Sequence, residues 1–300
     1  MTVPVPAGDA PRARILDRGY RRYSGPRTQV RGAMVTTWRQ SVQRALGLRR
    51  STWAKVLPIA SVLISYVPAI VFIGLVALLP EDEFIDSGIA LPTYGEYFPF
   101  IQAALTLFIA FVAPEVLCTD RRTGMVGIYL ASPLNRDTYL LSKAAAVVTV
   151  LSMVTIGPPL LMLVAYILQG VGPDGPAGVA ATLLRIVGGG LVMAILYAAV
   201  SLGVSALTDR KAFATATVLL LVVVSSVFLG VLVDVADLPD AFHAVNLLIG
   251  PISLVQLIHG EPLVEFDGLT LPFAIAGAAA WTLVGATVCR VRYQLLQVTR

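Results

Sequence analysis

Residues 184–233 read LRIVGGGLVMAILYAAVSLGVSAL-TDRK-AFATATVLLLVVVSSVFLGVLV, and this stretch decides the fold. Two apolar segments, Leu184–Leu207 and Ala212–Val233, flank the four-residue charged turn Thr208–Lys211. An α-helix rises about 1.5 Å per residue, so about 20 apolar residues cross the hydrocarbon core of a bilayer. Each segment is long enough to cross, and the short turn sends the chain straight back. Outward from this pair, four more segments have the same character: Val56–Leu79, Phe98–Leu117, Ala144–Leu168 and Leu271–Cys289. The spacing predicts an all-α integral membrane protein with six transmembrane helices.

Composition agrees. By length, 300 residues would allow two soluble domains. Yet 57% of the residues are hydrophobic, 13% are charged and the mean hydropathy is +0.80. A soluble domain carries about 25% charged residues to cover its surface. A disordered chain and a collagen are excluded on the same grounds, and two cysteines are too few to staple a secreted scaffold. The first apolar run begins near residue 56 and is too long for a signal-peptide core, so no cleaved leader is expected.

The charges sort by loop. Of the 22 basic residues, 12 lie between Arg12 and Lys55, and nine more fall in the 118–143 loop, the Thr208–Lys211 turn and the segment from Arg290. The alternate connections, 80–97, 169–183 and 234–270, hold no Lys or Arg and 12 of the 18 acids. Arg185, at the end of the fourth span, is the exception. By the positive-inside rule both termini are expected to be cytoplasmic. The basic excess is expected to face anionic lipid rather than nucleic acid.

Two segments refine the picture. Ala241–Gly260 is almost long enough to cross, but crossing would put Arg290, Arg292 and Arg300 outside, and Gly250-Pro251 interrupts it. It is expected to form two short helices re-entering or lying on the outer leaflet, a backbone tolerated only where protein or water covers it. Upstream, Val30, Met34, Trp38, Val42 and Ala45-Leu46 recur at helical spacing opposite Arg31, Arg39, Gln43 and Arg44. That pattern predicts an interfacial helix, with Trp38 and Trp53 at headgroup depth; a helix packed on the body of the protein is the alternative. The expected organisation is a flexible tail over 1–25, the interfacial helix and a basic connector over 26–55, and the transmembrane domain over 56–300.

Chemistry-bearing residues are sparse. The predicted spans contain no His or Lys. His243 and His259 stand sixteen apart in the outer segment, and His259 with Glu261 forms a weak ligand pair, so no metal is expected. Ser205 in Gly203-Val204-Ser205-Ala206 lacks the second glycine of a nucleophile elbow. Cys118 and Cys289 fall at the end opposite both histidines, and no P-loop is present. No catalytic residue, cofactor site or metal site is therefore expected. Gly190, Ala194 and Ala198 form a small-xxx-small row, Ala199 and Gly203 a second, Ala276 and Ala280 a third. Such rows let helices approach closely, within one chain or across a subunit interface. Pro68 and Pro158-Pro159 are expected to kink the first and third spans.

The most specific stretch joins the second and third spans, residues 113–143: APEVLCTDRRTGMVGIYLASPLNRDTYLLSK. Gly124 opens and Pro133 closes a short segment in which Met125, Ile128 and Tyr129 share a helical face. Asn135 or Asp137 is placed to cap the third span. From the residues alone, the segment is either a docking helix for a cytosolic partner or an ordinary connector.

The run Asp120-Arg121-Arg122-Thr123-Gly124, then Tyr129-Leu130-Ala131-Ser132-Pro133-Leu134, Arg136, Tyr139 and Lys143, resembles the corresponding loop of ABC type-2 permeases. Ala113-Pro114-Glu115 resembles a bacterial exporter branch, and the likeness with its topology spans residues 26–300. Ser142 departs from the Gly many relatives have before the Lys. The resemblance implies a permease subunit in a bacterial plasma membrane, paired with a second permease copy or a similar permease. ATP and Mg would sit on a separate ATP-binding subunit, and this chain would hold no cofactor. The loop would be the ATPase-coupling helix, with Arg121 and Arg122 flanking the contact and Thr208–Lys211 a second, smaller one. Glu115 would pair with the loop's basic residues. Export is the implied direction, and the apolar, aromatic-poor centres of the spans favour a hydrophobic or amphipathic solute over a bare ion; a non-transporting scaffold bound to an ATPase and an intramembrane enzyme are the competing expectations.

Overall fold

The computed structural model describes residues 29–48, 52–78 and 93–296, apart from 264, 265 and 267, together with Gly25. The tail expected over 1–25 (Gly25 aside), most of the 80–97 connection, and the side chain of Trp53 lie outside the described residues. All regular elements among the described residues are helices. They run α1 (Gln29–Ala45), α2 (Thr52–Leu78), α3 (Phe98–Arg122), α4 (Met125–Ala131), α5 (Arg136–Thr155), α6 (Gly157–Leu168), α7 (Gly175–Leu207) and α8 (Lys211–Asp234). A 3-10 helix (Asp240–Val245), α9 (Ile249–His259) and α10 (Leu271–Gln294) complete the order. Six stretches are long and apolar enough to cross a membrane, with α5 and α6 counting as one, and they correspond to the six predicted spans.

α3 is the most buried span, while α2, α8 and α10 keep most of their side chains on the outside of the bundle. That is the expected arrangement where lipid, rather than water, covers the apolar exterior. α3 packs on α2, α7 and α8, and α7 packs on α10. The α7–α10 contact rests on glycine. A Cβ on Gly203 would stand 2.9 Å from Gly285 Cα, and a Cβ on Gly285 would run into the Ala199 backbone. Gly190, Ala194 and Ala198 are likewise inside the bundle, Gly190 against the Thr155 backbone and the Ile156 side chain. Ala276 and Ala280 differ from their neighbours: both are exposed, and α10 buries Ala274, Gly277, Ala278 and Gly285 instead.

The third span is two helices. Pro158 and Pro159 lack the N–H groups that would continue the ladder from α5, so the helix breaks at Ile156 and restarts at Gly157. Thr155 Oγ1 donates to the Gly190 carbonyl at 2.9 Å beside the break. By contrast, α2 runs through Pro58 and Pro68 as one helix.

The segment 241–260 forms two short helices, and at eleven residues α9 is too short to cross. The break falls at Asn246–Leu248 rather than at Gly250-Pro251. Those two residues occupy the first turn of α9, where a missing N–H costs little. The irregular carbonyls are met by side chains from three spans. Trp281 Nε1 donates to Val245, Tyr197 Oη to Leu247 and Gln102 Nε2 to Leu248, each at 2.8 Å. Asn246 Oδ1 accepts from the Leu248 N–H at 2.8 Å. Non-helical backbone at this depth persists because protein supplies every one of these partners.

α1 packs along α5 and α3. Its buried positions are Thr37, Ser41 and Ala45, small residues that allow close approach, while Val30 and Val35 remain exposed. Trp38 Nε1 donates to Thr149 Oγ1 at 3.1 Å. The helix is thus fixed to the body of the bundle.

A buried ion cluster as the candidate functional site

The basic end of the bundle is organised around Asp120, in the last turn of α3 and fully buried. Its carboxylate accepts from three side chains on two helices. Arg44 reaches it from α1, Lys143 Nζ from α5 at 2.6 Å, and Tyr139 Oη, also on α5, at 2.9 Å. Two cations meet one carboxylate, and the surplus charge has a second partner. Lys143 Nζ lies 5.1 Å from the ring centre of Tyr129 and 5.4 Å from that of Tyr139, within cation–π range. Tyr139 stacks further against Tyr293 of α10, ring centres 5.9 Å apart.

Local sequence accounts for these positions. Asn135 caps α5: its Oδ1 accepts from the Thr138 N–H at 2.7 Å, and Thr138 Oγ1 accepts from the Asn135 N–H at 2.9 Å. This reciprocal box starts the helix at Arg136. Lys143 then lies two turns inside the helix, about 10 Å along its axis, and only 1% exposed. The predicted third span began at Ala144, which left Lys143 in the loop; the structure corrects that boundary and puts a lysine inside a span. Asp137, the other cap candidate, pairs with Arg290 of α10 at 3.1 Å instead.

The remaining predicted residues fall around this cluster. Arg121 donates to the carbonyls of Ala206 and Thr208, the latter at 3.1 Å. It closes the C-terminus of α7, where free carbonyls and the helix dipole favour a cation. Arg122 is exposed and lines, with Asp209, Arg210 and Lys211, a cleft of about 790 Å³. Glu115 is buried and paired with Lys211 of α8. Arg136 donates to the carbonyls of Gln294 and Leu296, the latter at 3.0 Å, and so ties α5 to the end of α10.

Gly124 adopts φ 70° between α3 and α4, a left-handed conformation that glycine reaches without steric penalty. Met125, Ile128 and Tyr129 do not share one environment. Tyr129 turns toward Lys143 and Gln40, where burial and then Asp120 push its hydroxyl pKa up. Val126 is buried, Met125 is half-buried, and Ile128 is 65% exposed. Pro133 is exposed at the end of the helix. A seven-residue helix is therefore held on one side by the ion cluster and presents an apolar side chain on the other.

Residue typing alone misses the joint role of Arg44, Asp120 and Lys143, because they are 76 and 23 residues apart on three helices. The Asn-x-x-Thr cap was the available signal for Lys143. At the opposite, acidic end, His243 is buried against Phe266 with ring centres 4.5 Å apart, and His259 and Glu261 line a common cavity. Among the described residues no group of three His, Cys, Asp or Glu converges as a metal site. Cys118 and Cys289 are free and buried.

These features define an α-helical, multi-pass membrane protein with a charged keystone at one end. No protein-family model matches the chain, and no curated protein matches it.

Proposed function

We propose that the chain is the permease subunit of an ATP-driven transporter of the ABC type-2 kind, working with a separate ATPase and a second permease copy or a similar permease. The basic end is the cytoplasmic face of a bacterial plasma membrane, and a hydrophobic or amphipathic solute is exported. The observation that carries the reading is the mounting of α4. Its exposed Ile128 is a docking side chain, and Tyr129 touches the cluster that joins α1, α3 and α5. A force applied to α4 by a partner is transmitted to three helices at once, because buried charge pairs resist separation. An apolar cavity of about 310 Å³ among α5, α7 and α10 is compatible with an apolar cargo.

Co-purification from native membranes tests the reading. Ile128→Asp removes the apolar contact without touching the cluster, so the variant melts as wild type. A nucleotide-hydrolysing protein is expected with the wild type and at least tenfold less with the variant. Absence of any ATPase from the wild type sinks the proposal; an ATPase without ATP-dependent solute movement in proteoliposomes leaves a scaffold. Orientation has its own test, in a background lacking Cys118 and Cys289. Ser132→Cys and Asp174→Cys both sit at exposed positions at opposite ends of the bundle. In right-side-out vesicles an impermeant maleimide is expected to label only the second; labelling of the first alone inverts the topology.

A further inference from the structure

The acidic end holds a cavity of about 370 Å³ between the Thr93–Tyr94 turn, the ends of α6 and α9, and the start of α7. Three buried side-chain atoms of residues lining it have no hydrogen-bond partner: Tyr166 Oη, His259 Nε2 and Glu261 Oε2. Tyr166 is only 5% exposed. Buried polar atoms are nearly always paired, so three of them around one cavity require an explanation.

The bonds that do exist show what is missing. His259 Nδ1 is 2.9 Å from the Val255 carbonyl, which can only accept. Nδ1 therefore carries the proton, and Nε2 of the neutral ring offers a lone pair. Glu261 Oε1 accepts from the Gly95 N–H at 3.0 Å and the Thr93 side chain also favours the carboxylate, while Oε2 has no hydrogen-bond partner. The Tyr94 and Tyr166 rings, 5.9 Å apart, add two π faces. Acceptors, a hydroxyl and aromatic faces together suit a cation bearing N–H donors. A quaternary ammonium would satisfy the rings and leave the three polar atoms unpaired. Burial pushes the Glu261 carboxyl pKa up, a cost of its negative charge that an ammonium beside it would offset, and pushes the His259 imidazole pKa down, which favours its neutral, lone-pair form.

Arg185 supplies the opposite sign. It lines the same cavity, donates through Nη1 to the His259 carbonyl at 3.0 Å, and is the one basic residue outside the basic-end segments. Its planar guanidinium has further donors suited to a phosphate.

We propose that this cavity binds a zwitterion in which a primary ammonium neighbours a phosphate, the ammonium directed to Glu261, His259 and Tyr166 and the phosphate to Arg185. The same chemistry has two sources, the headgroup of phosphatidylethanolamine in the adjoining leaflet and free phosphoethanolamine. The full chain is tested in nanodiscs of equimolar phosphatidylethanolamine and phosphatidylcholine, counting the lipid retained after mild detergent extraction. Wild type is expected to retain the primary amine lipid at least fivefold over the quaternary one. Glu261→Gln, which keeps an acceptor for Gly95, and Tyr166→Phe, which keeps the ring, are each expected to bring the ratio near one without moving the melting temperature.

Free phosphoethanolamine is the second arm. If it displaces the lipid and raises the melting temperature of lipid-free protein, the soluble zwitterion is the ligand. If it does neither while the lipid stays enriched, the headgroup is bound as lipid. The proposal is overturned if wild type retains both lipids equally and shows no response to the free compound, or if both variants keep the preference.

Discussion

Asp120→Asn is expected to destabilise the protein by about 3–5 kcal/mol, the range found when one member of a buried ion pair is removed. Lys143 is 1% exposed and has Asp120 as its carboxylate partner at 2.6 Å. With asparagine at 120 the ammonium keeps only an amide and two ring faces, which do not replace a full charge in a low-dielectric site. Arg44 loses the same partner but is partly exposed, so water offsets some of its loss. The double variant Asp120→Asn, Lys143→Met removes both central charges and is expected to recover most of the loss. Lys143→Met alone leaves Asp120 bonded to Arg44 and Tyr139 and is expected to cost less than Asp120→Asn. Thermal melts of the three variants in detergent check the order, and an Asp120→Asn protein that melts with wild type would show that the cluster contributes no stability. Arg44 detaches with the cluster, so protease cleavage near α1 is expected to quicken in Asp120→Asn.

The second large effect lies in the glycine contact between α7 and α10. A Cβ on Gly285 would fall inside van der Waals contact of the Ala199 carbonyl and 2.9 Å from Val200 N, all backbone of a neighbouring helix. Backbone cannot rotate aside as a side chain can. Gly285→Ala is expected to cost about 1–3 kcal/mol by forcing the helices apart, and Gly285→Leu to leave little folded protein to purify. Gly74→Ala and Gly188→Ala are the controls. Neither Cβ would meet an atom within 4 Å, and both positions are inside helices, where alanine is favoured over glycine by about 0.5–1 kcal/mol. Size-exclusion profiles and melting temperatures separate the two pairs. If Gly285→Ala and Gly74→Ala behave alike, the close approach does not hold the bundle together.

Both predictions rest on features that the amino-acid order conceals to different degrees. The glycine row was visible as Ala199 and Gly203, but its partner on α10 was not. Ala276 and Ala280 had the right spacing, yet they face outward, and Gly285 makes the contact. Almost every residue of α10 is small or apolar, and lipid and protein interior are similarly apolar, so spacing carries no signal for which face turns inward. A soluble helix would have marked its outer face with charge. The amphipathic pattern of α1 marked part of the packed face, since Trp38, Val42, Ala45 and Leu46 meet the bundle, but the small polar Thr37 and Ser41 are buried beside them and hydropathy did not mark those two.

The sequence by itself determined the number of spans, their approximate ends, the sorting of charge between the two ends and the short helices of 241–260. These follow from local quantities, namely 20-residue hydropathy, loop charge, and proline and glycine, that act along the chain. Tertiary structure alone decided which charges meet. It drew Asp120 to Arg44 and Lys143, Glu115 to Lys211, and Asp137 to Arg290. It also gathered Tyr166, Arg185, His259 and Glu261 around one cavity from three helices and the turn that follows α9. The physical reason is range. Hydrophobic insertion is additive along a segment, whereas a charge pair or an unpaired polar atom depends on a few ångströms between helices far apart in sequence.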